Sequence, residues 1–353
     1  MTGNMSGPVR LIDVARVAGV SKVTVSKVLP PSAGNNTRVS EATAAKVRAA
    51  AETLGYRPNL AARQLAGGWS RLIGVLIDAE SSPGELLRVS YAERAAGENG
   101  YRFVVGQCRS NLENIRAYLD DFAARGTDGV IIHSNAFPEF NGEIIAYAQR
   151  LRHVIYYDRP VCDDGTLDFV HISFENGVRQ LVDHLCGRGR RRIAYFAPGV
   201  RHSFGKWASQ LEREHGFRSG MEAHGLPCPA EFFDGLLFDK MPEVPELTAI
   251  AMEFLKKHRP DAVIARNDDV AAVMLRAVHK LGMRCPDDVA VAGYDNLKFS
   301  EYLEPSLTTV DNRLPELSRL VVESLIARIE GKHSGAEPIR LHRNPRLIVR
   351  EST

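Results

Sequence analysis

From residue 72 onward the chain alternates short apolar runs with longer amphipathic stretches, and this alternation leaves few folds open. The runs at 72–77, 103–105, 129–132, 154–157, 193–196, 262–265 and 289–292 are of strand length and apolar along most of their length. Runs of this kind suit strands buried on both faces. Between them, residues 85–99, 115–125, 177–186 and 269–281 carry their apolar side chains at helical spacing. Strand, helix, strand in repeated succession predicts parallel sheets wound by helices, with enough chain for two lobes. Ligands of such sheets bind beyond the C-terminal ends of the strands. The residues just after each apolar run are therefore the ones that bear on function.

Those residues are polar. Asp78 follows the first run, Asp158 follows HVIYY, Asn267 follows DAVIAR and Asp295 follows VAVAGY. Each offers fixed acceptors or an amide suited to sugar hydroxyls. Arg213, in REHGF, can bracket a hydroxyl or carboxylate with two N–H bonds, and Asn312 follows LTTV where the chain should recross between lobes. Asp and Asn after strands also serve as helix caps, so a structural role stays open for Asp268 and Asp295 in particular.

The first seventy residues have a different character. Residues 1–71 hold ten Lys and Arg against three acids, a net +7, while the remainder carries −5. A basic head on an acidic body fits a polyanion-binding module joined to another domain; charge alone leaves an ordinary basic surface equally open. Leu11, Val14, Ala15 and Ala18 mark one face of a short helix. Gly19-Val20 makes a turn, and Ser21 caps a second helix that turns Val25, Val28 and Leu29 inward. A third helix starts at Ser40, buries Val47, Ala50, Ala51 and Leu54, and stops at Gly55. Two helices joined by a glycine turn and followed by a third describe a helix-turn-helix unit. Its second helix leaves Lys22, Val23, Thr24, Ser26 and Lys27 outward. Lys can donate to guanine and Val can touch a thymine methyl in the major groove. Thr24, Ser26, Ser40 and Thr43 can donate to phosphates. Arg10, Leu11, Ser21 and Arg38 complete the expected DNA-facing set.

LIDVARVAGVSKVTVSKVL, then VSEATAAKVRAAAETLGYRPNLAARQLAGG, closely resembles the lactose-repressor/galactose-repressor (LacI/GalR) family, and GRGRRRIAYF, CPDDVAVAGYDN, EPSLTTVDN and RLIVREST extend the likeness through the core. The family usually has Arg and Asn where this chain has Lys27 and Pro30, and the stretch from Pro30 to Arg38 is longer than usual. A Lys lacks the bidentate fork of Arg, so base preference there differs. The resemblance implies that Pro58-Asn59 opens a hinge helix over residues 60–66, ending at Gly67-Gly68. Such a helix is too short to stand alone in water. In the family it pairs with its dimer mate in the minor groove and wedges a leucine into a base step, at a cost of a few kcal/mol of unstacking that the kinked DNA offsets. Leu65 matches that leucine, Ala62 the small residue at the helix contact, and Asn59 joins the DNA-facing set. Asp158, Arg213, Asn267 and Asp295, with Asn312 and Asp78, match effector-contacting positions. Many relatives stack an aromatic pair on the sugar near the first core helix; here SSPGELL places Gly84 and Glu85 there, with Trp207 as a candidate replacement.

These readings predict a small all-α helix-turn-helix headpiece plus an α/β core of two doubly wound, periplasmic-binding-protein-like lobes. The expected boundaries are a DNA-binding domain at 9–57, a hinge at 58–71 and a core at 72–353. The first lobe spans about 72–171 and 313–341, the second about 172–312 and 342–353. The predicted function is a repressor whose affinity for a pseudo-palindromic double-stranded DNA operator is controlled by a small molecule, expected to be a sugar. A regulator of the same architecture without a sugar effector, and a solute-binding protein, are the alternatives. The sequence lacks GxSxG, P-loop, HExxH and GxGxxG motifs, so no enzyme activity and no cofactor are expected. Its five cysteines are far apart with no CxxC pair, so they predict reduced thiols and no metal site. No run approaches the roughly 20 apolar residues of a membrane span, and residues 1–8 lack a secretory signal pattern; a cytoplasmic protein is expected. The absence of heptads after RLIVREST favours a homodimer.

Overall fold

The computed structural model describes residues 9–29, 39–57, 69–78, 83–109, 111–133, 141–200, 208–229, 237–333 and 337–353. The chain divides into two compact units, Met1–Ser70 and Arg71–Thr353.

In the smaller unit α1 (Leu11–Ala18), α2 (Lys22–Val28) and α3 (Glu41–Thr53) enclose one apolar cluster. Val14, Val25 and Val47, one from each helix, are fully buried at its centre, with Ala15, Ala50 and Ala51 around them. The helix ends follow from local chemistry. Asp13 accepts from the Arg10 N–H at 2.9 Å and starts α1. Gly19 ends it in the left-handed region, φ +65°, which only glycine adopts without strain, and Val20 N then bonds Ala15 O at 3.1 Å. Ser21 accepts from Thr24 N at 3.1 Å and Ser40 from Thr43 N at 3.3 Å, the two N-caps of α2 and α3.

The larger unit runs β1 (Leu72–Ile77), α4 (Pro83–Glu98), β2 (Arg102–Gln107), α5 (Leu112–Ala124), β3 (Gly129–His133), α6 (Asn141–Ala148), β4 (Val154–Tyr157), β5 (Phe169–Ile172), α7 (Phe174–Gly187), β6 (Ile193–Phe196), β7 (Gly199–Val200) and α8 (Ala208–Ala223). There follow β8 (Leu237–Phe238), α9 (Val244–His258), β9 (Ala262–Ala265), α10 (Asp268–Lys280), β10 (Ala290–Ala292), β11 (Thr309–Asp311), α11 (Leu314–Ile329), β12 (Arg340–Arg343) and β13 (Arg346–Ile348).

The first lobe is a six-stranded sheet of order β12-β5-β4-β3-β1-β2, parallel throughout. Its inner strands β1, β3, β4 and β5 are buried on both faces, while the edge strands β2 and β12 are partly exposed. Ile73, Val75, Ile77, Ile131, Ile155 and Tyr157 face α4 and α11, whose Ala92, Ala95, Val321 and Leu325 share their cluster. The intervening Leu76, Val130, Ile132 and Tyr156 face α5 and α6 through Ile115, Leu119, Phe122 and Ile144. Each fully buried aliphatic side chain contributes about 1.5–3 kcal/mol relative to exposure.

The second lobe has a three-stranded parallel sheet, β10-β9-β6, with α7 and α8 on one face and α9 and α10 on the other. The α7–α8 pair packs closely because α8 carries Gly216 at the crossing: a Cβ there would sit 2.3 Å from the Glu175 carbonyl oxygen. The chain passes between the lobes after Ile172, near Asn312 and after Arg343, where β11 and β13 pair antiparallel. The first sheet thus keeps Ile172 and His342–Arg343, one or two residues beyond the boundaries expected from sequence, because β12 registers on β5 through Arg343↔Ile172.

Candidate nucleic-acid interface and ligand cleft

On α2 the side chains left outside are those expected: Lys22, Val23, Ser26 and Lys27 are exposed and Thr24 is half-buried. Val23, 64 % exposed, gains nothing from the headpiece core and presents an apolar surface to solvent. Lys22 and Lys27 make no ion pair among the described residues, so both charges remain available to phosphates or base edges. Arg10 is exposed, and Leu11 is half-buried against the core. The hydroxyls do double duty. The Ser21 and Thr24 oxygens are 2.9 Å apart, as are those of Ser40 and Thr43. Within each pair one hydroxyl donates to the other, leaving the accepting partner's proton free for a phosphate. Arg38, Asn59, Ala62 and Leu65 lie outside the described residues, as does Trp207.

In the larger unit the polar residues at the strand ends fall into two linked groups. The first surrounds Asp295, just past β10. Asn312 donates to it from Nδ2 at 2.9 Å, and Arg213 on α8 approaches at 3.7 Å. The Arg213 guanidinium lies over the rings of Phe174, 4.8 Å away, and Tyr294, 4.4 Å away. Two aromatic faces and one carboxylate leave it little freedom. Burial raises the Asp295 pKa even though Arg213 and Arg88 favour its charged form. Asn267 sits beside this group, since the next residue's N–H bonds Tyr294 O at 2.9 Å. Its Oδ1 caps α10 by accepting from Val270 N at 3.0 Å. Asp268 is structural: fully buried, it accepts from Leu297 N at 2.7 Å and the Thr309 hydroxyl at 2.6 Å, and burial pushes its carboxyl up to about 7.

The second group is anchored in the first lobe. Asp158 ends β4 in the left-handed region, φ +68°. Both of its oxygens are engaged within the protein. One bonds Arg88 on α4; the other accepts from Ile172 N at 3.3 Å and lies 3.5 Å from His171 Nδ1. A buried carboxylate beside a buried guanidinium must pair, because an isolated charge there is far costlier. Arg88 also lies 3.7 Å from Glu85 and 4.5 Å over the Tyr157 ring, while Glu85 meets His133 Nδ1 at 2.5 Å. Burial works against each charge, yet Asp158 and Glu85 hold Arg88 protonated, and Arg88 with His171 holds the Asp158 carboxyl well below the usual carboxylate range. His171 reaches across to Glu212 on α8 at 3.2 Å; despite its burial, the two carboxylates push its pKa up to about 9. Asp78, at the end of β1 and 3 % exposed, is 3.5 Å from the Gln107 amide at the end of β2.

Arg213, Asp295 and Asn312 are thus brought into contact, with Asn267 adjoining. Asp158 joins them through His171, Glu212 and the neighbouring Arg213. Sequence reasoning missed Glu85, Arg88, His133, His171 and Glu212. His133 directly follows the apolar run 129–132, the same kind of position as Asp158, whereas His171 lies inside FVHI, which it interrupts. Glu85 and Arg88 are one helical turn apart on the buried side of α4, where an acid and a base at that spacing signal an internal pair.

Four buried polar atoms in these groups have no hydrogen-bond partner among the described residues: Arg213 Nε, Asn312 Oδ1, His133 Nε2 and the Tyr294 hydroxyl. The first two belong to residues that flank the same carboxylate, one a donor and the other an acceptor. Buried groups of this kind are costly to leave unmet, and a hydroxyl, which both donates and accepts, satisfies the pair.

A family model described as bacterial regulatory proteins, lacI family, matches residues 10–59, and one described as a periplasmic binding protein-like domain matches residues 182–353. The chain is 31% identical over 348 residues to the HTH-type transcriptional repressor PurR of Escherichia coli, covering 96% of this chain and 95% of that one. It is 28% identical to PurR of Photobacterium profundum over 342 residues, 96% and 97% of the two chains. The Lac repressor dimer bound to operator and the anti-inducer ONPF superposes with a TM-score of 0.81 at 27% identity, over 98% of this chain and 99% of that one. The complex of the transcriptional regulator CelR with cellobiose gives 0.68 at 28% identity, over 98% and 100%. No helix among the described residues is long and apolar enough to cross a membrane. The chain belongs to the lacI family of bacterial regulatory proteins, and it is a DNA-binding transcriptional repressor rather than an enzyme.

Proposed function

We propose that this repressor acts in the cytoplasm as a homodimer on a pseudo-palindromic operator, and that a sugar or sugar derivative in the cleft sets its operator affinity. The observation that carries the effector reading is the pair of unmet buried atoms, Arg213 Nε and Asn312 Oδ1, on either side of Asp295. A donor, an acceptor and a carboxylate within one contact group match the alternating donor and acceptor character of a polyol. The cellobiose complex of CelR supports a sugar, and the operator-bound Lac repressor dimer supports the assembly.

In this reading Lys22, Val23, Ser26 and Lys27 read the major groove, Thr24, Ser40, Thr43, Arg10 and Arg38 hold phosphates, and Leu65 with Asn59 and Ala62 serves the minor groove. Asn267 and Asp78 border the ligand, and Asp158 acts through Arg88 and His171 rather than by direct contact. The chain enters the first lobe at β1, directly after the hinge segment. A ligand that changes the angle between lobes therefore acts on that segment, and a coupling of about 1–3 kcal/mol shifts operator affinity about 5–150-fold.

A thermal-shift screen of neutral sugars, sugar acids and sugar phosphates on the full chain tests this. The expected result is a ligand that raises Tm in the wild type and fails to do so in Arg213→Ala. A ligand that stabilises both proteins equally places its site elsewhere and overturns the assignment.

A further inference from the structure

A cavity of about 550 Å³ opens at the opposite end of the first-lobe sheet from the cleft, where β4 and β5 begin and α6 and α11 end. Its size falls within the range of small-molecule sites, about 300–1,000 Å³. The apolar wall is formed by Ile145, Leu151, Val154 and Leu167. Into it projects Tyr156, 2 % exposed, whose hydroxyl has no hydrogen-bond partner among the described residues. Arg152 and His153, consecutive at the mouth, likewise have no side-chain partner among the described residues.

Negative charge at the site is already neutralised. The one acidic side chain of the lining, Asp168, is clamped by Arg328 through two bonds of 2.7 and 2.8 Å and accepts from Ile339 N at 2.7 Å. Most of the terminal carbonyls of the two helices that end here are already bonded. Ile145 O, Tyr147 O and Ala148 O of α6 accept from Gln149, Arg150 and Leu151 N–H, and Ile326 O, Ala327 O and Arg328 O of α11 from Glu330, His333 and Gly331 N–H. What remains is one fixed cationic donor, the Arg152 guanidinium, with groups that can donate or accept beside it, the Tyr156 phenol, the His153 imidazole and the Gln149 amide, against an aliphatic wall. The His153 pKa is lowered by burial and, less, by the Arg152 and Arg328 guanidiniums, with Asp128 and Asp168 acting against them.

We propose that this cavity is a second ligand site, for a small organic anion: a carboxylate or phosphate monoester held by Arg152 and the Tyr156 hydroxyl, with its apolar body against Ile145, Leu151, Val154 and Leu167. The same elements carry cleft residues at their other ends. Asp158 terminates β4, His171 lies near the end of β5, and Asn312 precedes α11. An occupant here braces the strands and helix that position the cleft.

Titration calorimetry of the full chain with phenyl phosphate, benzoate and phenol tests the proposal. At least one of the two anions is expected to bind saturably, and phenol at least about tenfold more weakly, since a charge-assisted bond to a guanidinium contributes most of the discrimination. Arg152→Ala should weaken anion binding about tenfold, Tyr156→Phe about threefold, and Arg213→Ala in the cleft should leave it unchanged. The proposal is overturned if neither anion binds at millimolar concentration, if phenol binds equally well, if Arg152→Ala binds like the wild type, or if Arg213→Ala removes binding.

Discussion

The headpiece and the cleft handle charge in opposite ways. Lys22 and Lys27 stand in solvent without an ion-pair partner among the described residues, whereas Arg88, Asp158 and His171 are buried and tied to one another. The first arrangement keeps charge ready for a polyanion arriving from outside, where each contact releases counterions. The second uses charge to fix geometry before a ligand arrives. Arg88 is held by two carboxylates and an aromatic face, and His171 links β5 of the first lobe to α8 of the second. One surface recognises by being unpaired; the other prepares a site by being paired, and leaves Arg213 Nε, Asn312 Oδ1, His133 Nε2 and the Tyr294 hydroxyl unmet among the described residues.

This contrast can be broken by substitution. The largest effect is expected for Arg88→Ala, which leaves Asp158 and Glu85 buried without their shared cation. Chemical denaturation should show a loss of about 3–5 kcal/mol. A cost below about 1 kcal/mol would mean the cluster is better hydrated than its burial implies. Next comes His171. Its folded-state pKa of about 9 lies above the ordinary histidine value of 6.5. The stabilisation is therefore fully present below pH 6.5 and is lost as pH rises through 9, on the order of 3 kcal/mol in all. His171→Gln should flatten that part of the stability profile, and a variant with the wild-type profile would detach the effect from this residue.

Smaller effects belong to the headpiece. Ser21→Ala removes the N-cap of α2 and should cost about 1 kcal/mol of headpiece stability, read from helical melting. Lys27→Gln should change stability by no more than about 0.5 kcal/mol. It should nevertheless weaken operator binding and reduce the slope of log affinity against log salt by about 1. A large stability loss in Lys27→Gln, or an unchanged salt slope, would erase the distinction between the two regions.

The same contrast explains what was legible in the sequence. Helix caps and apolar spacing are local, so Gly19 marks the end of α1, and Ser21 and Ser40 the starts of α2 and α3, at the positions where the structure has them. Apolar runs buried on both faces are also local, and 154–157, 193–196 and 262–265 match their strands end to end. β5 was not singled out, because His171 interrupts FVHI; its polar ring is tolerated only because Asp158 and Glu212 arrive from elsewhere in the chain. Asp295 and Asn312 are marked in the sequence by their places after strands, and Arg213, within α8, by family likeness alone. The pairing of Asp158 with Arg88 is not legible in the sequence, because the two are seventy residues apart and no local pattern links them.

The most direct test of the account is operator affinity measured with and without a saturating concentration of the ligand that the melting screen selects, in wild type and in Arg213→Ala. The account predicts a change of about 5–150-fold in the wild type, none in Arg213→Ala, and equal affinities of the two proteins in the absence of ligand. A full ligand response in Arg213→Ala would contradict it.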